Sequence, residues 1–146
     1  MKILVDTSVW SLALRRAGSH TQKELQIIHN LTELIHDGRV VMIGPIRQEL
    51  LSGISSAAQF EKLKNHLSHY PDMPLKIEIY EKAAKYFNIC RKAGVQGSHT
   101  DFLICAVATE ADLEIYTLDK DFSYYANQVV ILLCEIYNKF NNISEL

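Results

Sequence analysis

The chain has 146 residues, 48% of them hydrophobic and 22% charged, with a net charge of −2. That is long enough for one domain with a real core and ordinary for a globular protein. No apolar run approaches the roughly 18 residues of a membrane span, so no transmembrane helix is expected. A slightly acidic chain casts no global field that would recruit nucleic acid, so such a ligand would have to be met by local basic residues or by a cation. Cys90, Cys105 and Cys134 are odd in number and set among apolar residues. They read as buried thiols, not as a disulfide framework or a zinc site. With no signal-peptide h-region behind Met1 and Lys2, a reducing cytoplasm is the expected setting.

Lys2–Val5 is a short apolar run, read as the first strand, and Thr7–Leu14 continues it as a helix. Arg15 to Ser19 is a break, closed by Gly18. Thr21–His36 carries Leu25, Ile28, Leu31, Leu34 and Ile35 at helical spacing, and Asp37-Gly38 stops it. Val40–Ile43 is a second buried strand, and Gly44-Pro45 opens a helix that ends at Gly53. Ser55–Ser68 and Leu75–Ala93 read as two more helices, the second with Ile79, Ala83, Tyr86, Phe87 and Cys90 facing inward. Asp101–Ala111 is apolar on nearly all sides, which predicts a helix in the middle of the molecule. Leu113–Leu118 and Val129–Leu133 complete the strands. Strands alternating with helices predict a single α/β domain with a mainly parallel sheet, whose ligands bind beyond the carboxyl ends of the strands.

Acidic residues fall at just those handovers. Asp6 follows the first strand, Glu49 lies one helical turn beyond the second, Asp101 opens the central helix, and Asp119 and Asp121 follow the third strand. Carboxylates gathered at one rim repel one another unless a cation neutralises them. Oxygen-only clusters suit Mg²⁺ or Mn²⁺, ions that promote phosphodiester cleavage. Each residue also has an ordinary structural role open to it. Asp6 could cap a helix, Asp101 completes an S-x-x-D capping box with Ser98, and Asp119 and Asp121 could form a turn. Glu49 belongs at a cleft edge or beside a buried partner such as Arg47. Thr7, Ser8 and Thr117 could orient carboxylates or metal-bound water, or simply cap and close strand ends. Trp10 and Tyr86 are expected in the core, and His99 is left outside the metal shell. No zinc spacing, G-x-S-x-G elbow or phosphate loop is present.

The segments ILVDTSVW, PIRQELLSG, TDFLICAVA and IYTLDKDF, in that order, resemble the PIN-domain ribonucleases, and among them the toxins of VapBC toxin–antitoxin modules. The resemblance covers essentially the whole chain, residues 1–146. It implies a three-layer α/β/α, flavodoxin-like fold with a parallel central sheet. It also implies a Mg²⁺- or Mn²⁺-dependent endoribonuclease cutting single-stranded regions of RNA, often tRNA or rRNA, restrained by a cognate antitoxin and often dimeric. By motif position Asp6, Glu49 and Asp101 match the first three acidic residues of the family and Thr117 its polar residue. The fourth acid is Asp119 or Asp121, with Asp119 favoured. Asp6, Asp101 and Asp119 would then hold the first ion, with Glu49 and Asp121 acting through water or on a second one. Arg15, Arg16, Lys23, Arg47, Lys92 and Lys120 are the candidates for meeting RNA phosphates. The competing readings are a housekeeping RNA-processing nuclease of the same fold, a DNA-directed 5′ nuclease, a phosphatase-like hydrolase and a non-catalytic binding module.

Overall fold

A computed structural model describes residues 1–15 and 18–134. The apolar run Ile3-Leu4-Val5 forms β1 (Ile3–Val5), fully buried, as a parallel strand covered on both faces must be. α1 (Thr7–Ala13) and α2 (Gln22–His36) lead to β2 (Val40–Val41). Four helices follow: α3 (Gly44–Leu51), α4 (Ala57–Leu67), α5 (Ile77–Lys92) and α6 (His99–Glu110). The chain then enters β3 (Glu114–Tyr116), α7 (Asp121–Ala126) and β4 (Leu132–Leu133). All strand pairs are parallel and the sheet runs β2-β1-β3-β4, with helices layered against it. The expected three-layer α/β/α architecture is borne out.

Local chemistry explains the boundaries. α2 starts on a reciprocal capping box between Thr21 and Glu24, and α6 on another between Ser98 and Asp101. Pro45 sits in the first turn of α3, where its missing N–H costs nothing. α6 buries every residue from Phe102 to Ala108 and is the central helix that its uniform apolarity predicts. The expected core residues Trp10 and Tyr86 are buried, as are all three cysteines. Among the described residues no helix is long and apolar enough to cross a membrane.

Four expectations need correction. Leu25 lies on the exposed side of α2, whose buried stripe is Ile27, Asn30, Leu31 and Leu34. The second strand stops at Val41, because from Met42 the chain pairs only as an isolated bridge with Asp72. The segment from Asp121 to Ala126, to which the sequence reading gave no element, is the helix α7, pinned by buried Phe122 and Tyr125 at i and i+3. Arg47 is not a surface cation waiting for phosphate. Its guanidinium pairs with Asp72 at 2.9 Å and donates to the carbonyls of Leu67 (2.8 Å) and Tyr70, fastening α3 to the segment that follows α4. The break after Leu14 contains Arg16, which lies outside the described residues.

The strand order places the site. From β1 the chain moves to one side to form β2 and then crosses to the other side of β1 to form β3. The crevice between the carboxyl ends of β1 and β3 is therefore the switch point at which such sheets bind ligands. Register aligns Val5 with Tyr116, so the next residues along, Asp6 and Thr117, emerge side by side in that crevice.

Arg47→Ala should destabilise the fold by about 1.5–3 kcal/mol, since two carbonyls and a carboxylate lose a charged donor. Arg47→Lys should recover less than half of this, because an ammonium cannot reproduce the planar fork. Chemical denaturation of the three proteins measures both effects. A lysine variant as stable as the wild type would show that charge alone matters.

Candidate active site

Asp6 leaves β1 with its carboxylate buried, 6% exposed, beneath two hydroxyls. Ser8 Oγ donates to Asp6 Oδ2 at 2.7 Å and Thr117 Oγ1 to the same oxygen at 2.8 Å. Both hydroxyls are themselves oriented. Ser8 Oγ accepts from the backbone N–H of Leu118 at 3.0 Å, and Thr117 Oγ1 from that of Asp119 at 3.0 Å. Each thereby has its proton free to point at Asp6, and the exits of β1 and β3 are sewn together. Asp6 occupies the N-cap position of α1, yet its side chain makes no capping hydrogen bond. The side-chain capping role is therefore absent.

Glu49 stands exposed on α3 at the cleft edge, with Thr7 Oγ1 donating to its Oε2 at 3.1 Å. Asp119 accepts the backbone N–H of Asp121 at Oδ1, 2.9 Å, in the tight turn that launches α7. Asp121 is exposed on the first turn of that helix. Asp101, half-buried, takes its capping-box bond from Ser98 N–H at 3.5 Å and a shorter one, 2.7 Å, from the Tyr125 hydroxyl, both on Oδ2. The capping role of Asp101 is therefore real and coexists with its place in the crevice.

A pattern runs through the set. Asp6, Glu49, Asp101 and Asp119 each commit one carboxylate oxygen to protein donors, while the other accepts no hydrogen bond among the described residues. No Lys, Arg or His among the described residues forms an ion pair with any of them. Electrostatic coupling links Asp101 to Asp119, and Cys105 feels both Asp101 and Asp6. Burial first, and the Asp119 charge as well, push the Asp101 carboxyl above the ordinary range. The Tyr125 hydroxyl is pushed up by burial, by its bond to Asp101 and by the charges of Asp101, Asp121 and Asp119. Cys105 is raised by burial and then by Asp101, Cys90 and Asp6, so it stays a thiol and offers no nucleophile. Unpaired oxygens on neighbouring carboxylates, without a compensating cation, fit a hard divalent ion better than any other group. Among the described residues no three acidic, His or Cys side chains close into a ready-made cage.

The PIN domain family model matches residues 3–128. The chain belongs to that family. Solved structures similar to this PIN domain include FitAcB from Neisseria gonorrhoeae, 20% identical, with a TM-score of 0.70 over 90% of this chain and 96% of that one. VapBC2 from Rickettsia felis, solved bound to a DNA fragment from their promoter, is 17% identical with a TM-score of 0.70, covering 92% of this chain and 98% of that one. FitAB bound to an IR36 DNA fragment is 16% identical with a TM-score of 0.70, covering 92% and 95%. At such identities the likeness is one of fold. No curated protein matches the chain.

Of the candidate phosphate contacts, Arg15 pairs with Glu24 at 3.4 Å, Arg47 is committed to the fold, and Lys23, Lys92 and Lys120 are exposed. Lys120 is the one placed next to the acids, between Asp119 and Asp121. His99 stacks on Phe87, with ring centroids 5.1 Å apart, which accounts for it without a metal. Tyr125 touches Asp101 and was not among the residues singled out from the sequence. The signal available was the F-x-x-Y spacing after Asp121, which marks a helical turn aimed inward.

Because the folded pKa of Asp101 stands above its unfolded value, the fold favours the protonated acid. Its contribution to stability is present below the ordinary carboxylate pKa and is lost as pH rises through the raised value. Asp101→Asn mimics the protonated form. In metal-free buffer its melting temperature should gain on the wild type as pH goes from about 4 to about 7. A difference that does not move with pH would mean that Asp101 is ionised at no cost.

Proposed function

We propose that this PIN domain is a divalent-metal-dependent endoribonuclease, the toxin of a type II toxin–antitoxin pair silenced by a cognate antitoxin. Four carboxylates carry this conclusion: each keeps one oxygen unengaged, with no cationic side chain among the described residues to neutralise them. Asp6, Asp101 and Asp119 would hold Mg²⁺ or Mn²⁺, with Glu49 and Asp121 acting through water or on a second ion. A bound ion supplies Lewis acidity and lowers the pKa of its water, so no side-chain nucleophile is needed.

The chain's own contribution is placement. Ser8 and Thr117 keep the Asp6 carboxylate from rotating, and Lys120 stands at the rim where an RNA phosphate would arrive. Single-stranded regions of tRNA or rRNA are the proposed substrates, since an open rim suits a splayed strand better than a duplex. The cytoplasm is the proposed setting.

Two observations support the toxin assignment over a housekeeping nuclease. The neighbours VapBC2 and FitAB were each solved on DNA, VapBC2 on a fragment of their own promoter, and VapBC is the module type that the sequence motifs resemble. In addition, Leu14 of the α1 C-cap, Leu50 of α3, and Lys62 and Leu63 of α4 line a groove of about 590 Å³ together with Ile54 and His66. Its apolar floor and polar border suit an amphipathic antitoxin helix, and an antitoxin Arg or Lys side chain reaching the acidic rim would replace the metal's charge. A homodimer or a toxin–antitoxin hetero-oligomer is the expected assembly.

Purified protein should cut single-stranded RNA with Mg²⁺ or Mn²⁺ and stop when EDTA is added. Asp6→Asn should bring cleavage to background while melting at the same temperature or higher without metal, because one repelling charge is gone. Expression of the wild type alone should arrest growth, and co-expression of a small upstream reading frame should restore it. Cleavage retained by a less stable Asp6→Asn variant would sink the metal site. Normal growth with abundant active protein would leave the housekeeping nuclease.

A further inference from the structure

The loop entering α6 passes directly over a tyrosine. Tyr125 is fully buried on α7, its ring centroid 4.9 Å from that of Phe102 and 5.1 Å from that of Phe122. From this apolar bed only the hydroxyl meets a polar partner, donating to Asp101 Oδ2 at 2.7 Å. Gly97 closes the cover. A methyl carbon at that position would lie 2.8 Å from Tyr125 Cζ and 3.0 Å from Phe102 Cε2, closer than carbon atoms pack. Any side chain at residue 97 therefore has to displace the tyrosine ring, and with it the hydroxyl.

Asp101 is constrained on one side only. The Ser98 N–H and the Tyr125 hydroxyl both address Oδ2, and the Asp101 N–H is tied to Ser98 Oγ at 3.1 Å. Oδ1 accepts nothing among the described residues. The Ser98 bond, at 3.5 Å, is at the outer limit of a hydrogen bond, so the tyrosine supplies the stronger constraint. Asp6 shows the same device with different parts: Ser8 and Thr117 hold Oδ2, and Oδ1 is left over. For the acid that leaves a strand, the hydroxyls come from the first turn of α1 and from the exit of β3. For the acid on a helix, α7 has to bring one from outside.

We propose that Tyr125, kept in place by the Gly97 cover, is a positioning residue that fixes the rotation of the Asp101 carboxylate, committing Oδ2 to the protein and leaving Oδ1 for the cation. This rests on the metal-nuclease reading above. A purely structural tyrosine would contribute to stability and leave metal affinity alone. A positioning tyrosine changes metal affinity even where the fold is kept.

Tyr125→Phe preserves the ring packing and removes only the donor. Mn²⁺ binding to metal-free protein, measured by calorimetry, should weaken roughly 10–100-fold, the usual effect of losing a group that orients a metal-binding side chain. Single-stranded RNA cleavage should recover towards the wild-type rate as Mn²⁺ is raised. Gly97→Ala should weaken Mn²⁺ binding in the same direction, and the double variant should be no worse than the weaker single one, because both act through one hydrogen bond. A folded Tyr125→Phe protein with wild-type Mn²⁺ affinity overturns the proposal, as do fully additive losses in the double variant. If Gly97→Ala fails to fold, Tyr125→Phe decides alone. A wild type that neither binds Mn²⁺ nor cuts RNA brings down the nuclease reading and this proposal together. A wild type that does both, beside an unchanged Tyr125→Phe, brings down the positioning role only.

Discussion

The bond pair on Asp6 Oδ2 is the constraint from which the site is built. A carboxylate 6% exposed is costly to hold unless donors meet it, and here the donors are hydroxyls whose own orientation is set by two backbone N–H groups at the exit of β3. Two strands that pair in register up to Val5 and Tyr116 are thus locked together one residue further on. The lock extends into the turn carrying Asp119 a register that the Asp6 N–H already continues on the Tyr116 carbonyl. The sheet supplies the position and the two hydroxyls supply the angle.

The acids are then neutralised by nothing that the described chain provides. Proteins generally avoid such an arrangement, since like charges close together and partly out of water raise one another's pKa, as Asp119 does to Asp101. Arg47 is committed to two carbonyls and Asp72, away from the acids. A rim left unpaired among the described residues is the arrangement that the proposed metal site would need.

Much of this was legible in the sequence, and for a definite reason. Parallel strands buried on both faces read as solid apolar runs, so the end of β1, and hence Asp6, could be found by eye, whereas the third strand was read two residues too far, through Leu118. The capping box on Asp101 was visible as S-x-x-D. Arg47 was misjudged because its partners, Asp72 and the carbonyls of Leu67 and Tyr70, lie 20 or more residues away and carry no local pattern. Leu25 was misjudged because steps of three from Leu31 through Ile28 drift around the helix and leave the core face by residue 25. α7 was missed because D-K-D-F-S-Y-Y-A is short and begins like a turn, and its two anchors become helical only by packing on one another and on Phe102.

That last miss bears on how the site works. A six-residue helix has too little internal hydrogen bonding to stand alone, so α7 persists because Phe122 and Tyr125 are buried. Tyr125 also delivers its hydroxyl to Asp101, and the helix starts at the turn in which Asp119 accepts the Asp121 N–H. Folding of this short element and the geometry of two of the four acids are therefore one event. A substitution that loosens the Phe102–Phe122–Tyr125 cluster should disturb Asp101 first, through Tyr125, while Asp6, fixed by Ser8 of α1 and Thr117 at the exit of β3, stays where it is. The rim thus has a rigid half built on strands and a more readily perturbed half built on α7 and the first turn of α6.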